Sequence, residues 1–189
     1  MVNRTAITPA IAALAGRRID AQDSDVQRFP LAEADHIFEK LLRRFRQEHV
    51  VRLVCSAACG ADILALEAAN ILMIPTTIVL PFAPYVFRRV SVTDRPGNWG
   101  ERFDRLVQAA LKNDGLIELG LDVADENAYV IANHRIIEAA LGAGKSRKLA
   151  FIVWEGHSRG SDDTTAEFLK TALFHGFEKK SIITRRRTR

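Results

Sequence analysis

Short, almost unbroken apolar runs, separated by stretches of helical periodicity, leave this chain few ways to fold. Ala10 to Gly16, Val50 to Cys55, Thr76 to Leu80 and Leu149 to Trp154 are rich in the aliphatic and β-branched residues that suit a strand. They do not alternate apolar with polar residues, which predicts strands covered on both faces, as in a parallel sheet. Gly115 to Leu119 is a shorter fifth candidate. Between the runs, Leu31, Ala34, Phe38, Leu41 and Phe45 trace one stripe of a helix whose first turn Pro30 pre-sets. Ala61 to Ile74 is apolar nearly all round and should be buried on several sides. Trp99, Phe103, Leu106, Val107, Ala110 and Leu111 mark an amphipathic helix behind Asn98. Asp125 is placed to cap a helix that Gly142 and Gly144 end, and Thr164 with Glu167 reads as a capping box for the last helix. Strands alternating with helices imply right-handed crossovers and a single Rossmann-like α/β domain: a doubly wound, mainly parallel sheet with helices on both faces.

The rest of the composition bounds the function. With 189 residues and 48% hydrophobic content the chain can bury one core. The expected domain is 1–178, followed by a basic, disordered tail over 179–189. The six cations from Lys179 onward, with no acid among them, exceed the net charge of +4, so the body is slightly acidic. A near-neutral body argues against a surface that coats nucleic acid, and leaves contact with nucleic acid to the tail alone. Cys55 and Cys59 lack the partners for a zinc quartet or a disulfide framework, and no metal-ligand spacing is present. Thr5 to Leu14 could pass for the apolar core of a signal peptide, but Pro9 interrupts it and a strand fits as well. No apolar stretch approaches the ~20 residues that span a bilayer, so the expectation is a cytoplasmic protein without a membrane role, a metal or a cofactor.

In an open parallel sheet, ligands bind beyond the carboxyl ends of the strands, so the residues just after each strand carry the information. These are Gly16-Arg17-Arg18, Ser56-Ala57-Ala58-Cys59-Gly60-Ala61-Asp62, Pro81-Phe82-Ala83-Pro84, and Trp154-Glu155-Gly156-His157-Ser158-Arg159-Gly160. Small residues from Ser56 to Gly60 would let a phosphate approach backbone N–H groups at a helix N-terminus; the alternative is a tight turn that binds nothing. Asp62 either favours the helix dipole or receives hydroxyl or base N–H donors. Arg88 and Arg89 could reach a phosphate, or be solvated. Phe82 and Trp154 could stack on a base, or pack in the core. Asn133 lies on an apolar stripe and needs a partner, either a loop backbone or a ligand. Glu155, near Arg159, is the leading candidate for a general base or a hydroxyl acceptor, with Glu67 as the second catalytic candidate and an ion pair as the alternative role for Glu155. His36, His49 and His175 have no partners in register and are assigned no chemistry.

The run Cys55 to Ala65, a small-residue turn followed by Gly60-x-Asp62-x-x-Ala65, resembles the DNA-processing protein A family, and Gly16-Arg17-Arg18 resembles the Gly-His-Arg turn of related domains. Both belong to the SLOG superfamily, which also contains the lonely-guy phosphoribohydrolases. Val79 to Phe82, Phe87 to Val92, Trp99 and Arg102 to Asp104 resemble SLOG-like domains found beside tetratricopeptide repeats or signalling modules. The likeness spans Ala12 to about Phe168, and implies a nucleotide-derived ligand and a homodimer. The lonely-guy enzymes place an acid four residues after the last glycine of their turn, and here that position is Leu64. The expectation is therefore a nucleotide-like small-molecule sensor. The alternatives are a hydrolase of an N-glycosidic or phosphate bond using Glu155 or Glu67, and a nucleic-acid or protein interaction module using the tail.

Overall fold

The apolar runs form strands and the periodic stretches form helices in the computed structural model, which describes residues 8–185. In chain order these are β1 (Ala10–Gly16), α1 (Ala34–Gln47), β2 (Val50–Cys55), α2 (Ala61–Ile71), β3 (Thr76–Leu80), α3 (Pro84–Ser91), α4 (Trp99–Lys112), β4 (Leu116–Glu118), α5 (Ala128–Gly142), β5 (Arg147–Trp154), α6 (Thr164–Phe174) and β6 (Glu178–Ile183). A turn of 3-10 helix, Leu31–Glu33, leads into α1. All six strands lie in one sheet of order β4-β3-β2-β1-β5-β6, and every neighbouring pair is parallel. The expected Rossmann-like α/β fold is therefore present. After β1 the chain winds outward through β2, β3 and β4, then returns along α5 to pair β5 with the other side of β1. That reversal opens a crevice at the carboxyl ends of the strands.

The central strand shows why its sequence does not alternate. Ala10, Ala12 and Leu14 pack with Leu41 and Phe45 of α1 and Leu66 of α2 on one face. Ile11, Ala13 and Ala15 pack with Ile136 and Ile137 of α5 and Phe168 of α6 on the other. Both faces are dry, so polar residues have no place on either.

Three expectations need correction. The basic segment is not loose from Lys179: Glu178–Ile183 is the edge strand β6, paired with β5 throughout. Ile182 and Thr184 are buried, Lys180 bonds Glu48 at 3.0 Å, and Lys179 lies over the Trp154 ring at 5.4 Å. Lysines on an edge strand discourage pairing with other chains, which is how a strand comes to look like a solvated tail. Of the expected tail, 186–189 lie outside the described residues. Secondly, the cap of α6 is Asp163, whose side chain accepts from the amides of Thr165 and Ala166, so Thr164 is already in the helix. A carboxylate takes both amides at once, which a hydroxyl does less well. Thirdly, Asp125 closes a turn onto the Asn127 amide, and α5 begins only at Ala128.

Gly16 and Gly60 bring β1 and α2 together. A Cβ on Gly16 would collide with Ala61 and stand 2.8 Å from Val153 Cβ. Gly60 has φ 98°, and a Cβ there would stand 2.8 Å from Ile19 N and 2.9 Å from Arg17 O. Gly60→Ala therefore combines a strained backbone with a clash against another segment's backbone, and we expect a loss of about 1–3 kcal/mol. Urea unfolding checks this, and an unchanged midpoint would show that the turn relaxes without cost.

Candidate functional site

A cavity of about 420 Å³ occupies the crevice beside the strand reversal. Its inner lining comes from Leu14, Ala15 and Gly16 of β1, Ser56 and Ala58 after β2, and Asp62 of α2. Phe87, Val90 and Ser91 of α3 and Tyr129, Ala132, Asn133 and Ile136 of α5 form further walls, with Thr164 and Thr165 at the start of α6. Arg18, Arg28, Arg95 and Arg159 also border it, each more than a quarter exposed, together with Asp20; Arg18 and Arg95 are both paired with Asp94, at 2.8 and 3.1 Å.

The turn from Ser56 to Gly60 does not present a free row of amides. Ala58 N donates to Asp62 Oδ2 (3.2 Å), Cys59 N to Ser91 O (3.0 Å) and Ala61 N to Arg17 O (3.1 Å). Two amides of the expected backbone cradle, with that of Ala61 just beyond it, are thus engaged by the protein itself. Gly60 serves close packing against the β1 turn, and the cations that border the cavity are arginine side chains.

Asp62 is the acid that faces the cavity from within. It is buried, and among the described residues no cation pairs with it. Burial pushes its carboxyl up from 3.8 to about 7, although the Ala58 amide pulls the other way. Burial outweighs the helix N-terminus at this position, so the group is poised between its neutral and charged forms near neutral pH. The same carboxylate, after burial, helps raise the neighbouring Cys55 thiol well above its ordinary value. Cys59 is raised to about 11, chiefly by burial, so neither buried thiol is a nucleophile at neutral pH.

Arg17, which also borders the cavity, ties three segments together. Its Nε donates to Glu155 Oε2 (2.6 Å), and its Nη1 and Nη2 donate to Asp163 Oδ1 and Oδ2 (2.5 and 2.7 Å). Nη2 also reaches Glu155 Oε1 and His157 O, both at 3.2 Å. Asp163 further accepts from the Arg159 amide (2.8 Å) besides the two α6 amides. Burial opposes ionisation of Asp163, but the Arg17 hydrogen bonds, the Arg159 and Ala166 amides and the Arg17 charge together hold its carboxyl well below the usual range. The end of β1, the loop after β5 and the start of α6 are clamped by one guanidinium.

Of the residues expected from sequence, Gly16, Arg17, Arg18, Ser56, Ala58, Asp62 and Asn133 line the cavity together. Ala57, Cys59, Gly60, Pro81, Phe82, Trp154, Glu155 and Gly156 are not among its lining residues. Glu155 is the ion-pair partner of Arg17, with Arg28 Nε at 3.4 Å. Glu67 is held by Arg102 at 2.5 Å, and Arg88 by Asp104 at 2.9 Å. Phe82 packs edge-on to Tyr129 with ring centroids 5.6 Å apart, and Trp154 Nε1 donates to Ser181 Oγ at 2.9 Å. Asn133 Nδ2 donates to Thr164 O at 2.9 Å, fixing α6 against α5 while the residue still borders the cavity.

Sequence reading missed Arg28, Asp163 and the Ser91–Tyr129 hydroxyl pair (2.8 Å), and named Arg159 only in the segment after β5, as a neighbour of Glu155. Only Asp163 carried a legible signal, an acid directly before a Thr-Thr helix start. Among the described residues no group of three or more His, Cys, Asp or Glu is placed to hold a metal ion, and no helix is long and apolar enough to cross a membrane.

No family model matches the chain, and no curated protein matches it. Among solved structures it is similar to DNA processing protein A from Helicobacter pylori, described for its single-stranded DNA binding mode: the two chains are 16% identical, the match covers 91% of this chain and 75% of that one, and the TM-score is 0.44.

Proposed function

We propose that this domain binds a nucleotide or nucleotide-derived anion in the cavity, as a sensor or regulatory domain. One observation carries the reading: a single cavity joins an unpaired buried carboxyl, Asp62, to an outer lining of Arg18, Arg28, Arg95 and Arg159. A ligand that suits both ends is anionic on one side and offers N–H or O–H donors on the other. The arginines suit phosphate oxygens, and Asp62 suits a base N–H or a sugar hydroxyl. The volume lies within the range of small-molecule sites, roughly 300–1,000 Å³. A binding role is favoured over hydrolysis because Glu155 and Glu67, the acids expected to act on a glycosidic bond, are both engaged by arginines. Within the basic segment, Lys179 and Lys180 are drawn onto Trp154 and Glu48.

Calorimetry against nucleoside mono-, di- and triphosphates, inorganic phosphate and a single-stranded oligonucleotide tests the reading. We expect saturable one-to-one binding of a nucleotide, weakened in Arg18→Gln and altered in preference in Asp62→Asn. No nucleotide binding at millimolar concentration would overturn it. Steeply salt-dependent binding of the oligonucleotide alone would favour a nucleic-acid module instead.

A further inference from the structure

We infer that Asp94 competes with the incoming anion: its carboxylate holds Arg18 and Arg95 at the edge of the cavity, and an anion binds by taking the two guanidiniums from it. The inference rests on reading the cavity as an anion site, and it concerns how that site is regulated.

The four exposed arginines at the cavity fall into two pairs. Arg28 Nε stands 3.4 Å from Glu155 and Arg159 Nη2 stands 3.7 Å from Asp163, long contacts with acids whose short bonds go to Arg17. Arg18 and Arg95 share one closer acid. Arg18 Nη1 and Nη2 donate to Asp94 Oδ1 and Oδ2 at 3.2 and 2.8 Å, and Arg95 Nη1 stands 3.1 Å from the same Oδ2. A guanidinium fork on both oxygens of a carboxylate is also the geometry that holds a phosphoryl group. Asp94 is not among the lining residues of the cavity, so it draws the two cations from outside that space. An anion inside must displace Asp94 from the fork or share the cations with a charge of its own sign, and either weakens binding.

The chain itself presets this competitor. Asp94 lies on the segment between α3 and α4. Just before it, the Thr93 amide and Oγ1 both donate to Arg88 O, at 2.9 and 3.1 Å. Just after it, Pro96 O accepts from Nε1 of the buried Trp99 at 2.8 Å, and Arg95 Nη1 donates to Asp94 O at 3.2 Å. The acid is therefore fixed from both sides. Arg18 has a second tie, from Nη1 to Val90 O at 2.9 Å, so removing the Asp94 charge frees its fork without releasing it from the rim. Arg18 and Arg95 are each 27% exposed and Asp94 30%, so the exchange costs what two partly exposed ion pairs are worth, about threefold to tenfold in affinity.

Calorimetry with inorganic pyrophosphate and with adenosine diphosphate tests this on the intact chain, as wild type, Asp94→Asn, Arg18→Gln and the double variant. We expect Asp94→Asn to tighten both anions about threefold to tenfold, and Arg18→Gln to weaken them. In the Arg18→Gln background the gain from Asp94→Asn should fall below about twofold, because only Arg95 is left to free. A second readout needs no ligand: phenylglyoxal, which attacks guanidinium groups, should modify Arg18 faster in Asp94→Asn than in the wild type, as read by peptide mass spectrometry. Unchanged or weaker binding in Asp94→Asn overturns the competition. So does a gain that persists undiminished beside Arg18→Gln, since that is the effect of bulk charge alone, and so do equal rates of Arg18 modification. Each of these leaves the anion site in place. Binding of neither anion by any of the four proteins removes the anion reading and the inference with it.

Discussion

Asp163→Ala should destabilise this domain by about 3–5 kcal/mol, the range for removing one partner from a buried, hydrogen-bonded ion pair. The side chain is fully buried and accepts two short bonds from Arg17 together with the amides of Arg159, Thr165 and Ala166. Its loss strands much of a buried guanidinium and uncaps α6 in one step. A domain of ordinary stability has only ~5–15 kcal/mol in total, so the variant should sit near its threshold. Asp163→Asn separates the two contributions. Asparagine caps a helix about as well as aspartate, so if capping dominates the Asn variant should be near wild type. We expect it to recover only about 1 kcal/mol, because the charge opposite Arg17 is still missing. The pH dependence gives a second readout. The folded-state pKa of Asp163 lies below its unfolded value of 3.8. Its contribution is therefore fully present above about pH 4 and is lost as the pH falls toward the folded value. Urea midpoints should fall on acidification more steeply in the wild type than in Asp163→Asn. Equal acid sensitivity, or an Asp163→Ala variant within about 1 kcal/mol of wild type, would show that Glu155 alone suffices for Arg17.

This clamp also explains which parts of the molecule could be read from the residues in order. β1, β2 and β3 have the bounds that their apolar runs predict, because a strand buried on both faces admits little besides aliphatic residues. β6 was hidden for the converse reason: at an edge, Lys179 and Lys180 are tolerated and useful, so composition resembles that of a loose terminus. Residues at strand ends divide between the cavity and the protein's own contacts. Gly16, Ser56 and Asp62 reach the cavity, whereas Glu155 turns to Arg17. Nothing local distinguishes a carboxylate that meets a ligand from one that meets an arginine 138 residues away. The phosphate-cradle pattern was ambiguous for a similar reason, since its amides are claimed by Asp62, by Ser91 and by Arg17 across the fold. Arg28 and Arg159 lie in irregular segments with no periodicity, and only the tertiary fold brings them together at the edge of one cavity.

Asp62→Asn should do the opposite of most substitutions at a buried acid and stabilise the fold, by about 2–4 kcal/mol at pH 8. The Asp62 carboxyl is raised from 3.8 to about 7 by burial, with one amide hydrogen bond as partial compensation. Below pH 3.8 both folded and unfolded chains carry the proton and the group is neutral to stability. Between 3.8 and about 7 the unfolded chain releases the proton while the folded chain keeps it, so stability falls as the pH rises, and above about 7 the loss is complete. Full conversion of the shift corresponds to about 4 kcal/mol, and the residual exposure of Asp62 to the cavity reduces that figure. An amide of the same shape carries no such penalty, so the variant and the wild type should converge near pH 4 and separate steadily toward pH 8 in urea titrations. Stabilisation that does not vary with pH, or destabilisation at pH 8, would show that the carboxylate is paired after all. The ligand provides the compensating half of the argument. A base N–H or sugar O–H placed against Asp62 favours the ionised form, so binding near pH 6.5 should release a proton to the buffer. Calorimetry in two buffers of different ionisation enthalpy measures that release directly. It should be a substantial fraction of one proton in the wild type and absent in Asp62→Asn, and an equal release in both would remove Asp62 from the ligand contacts.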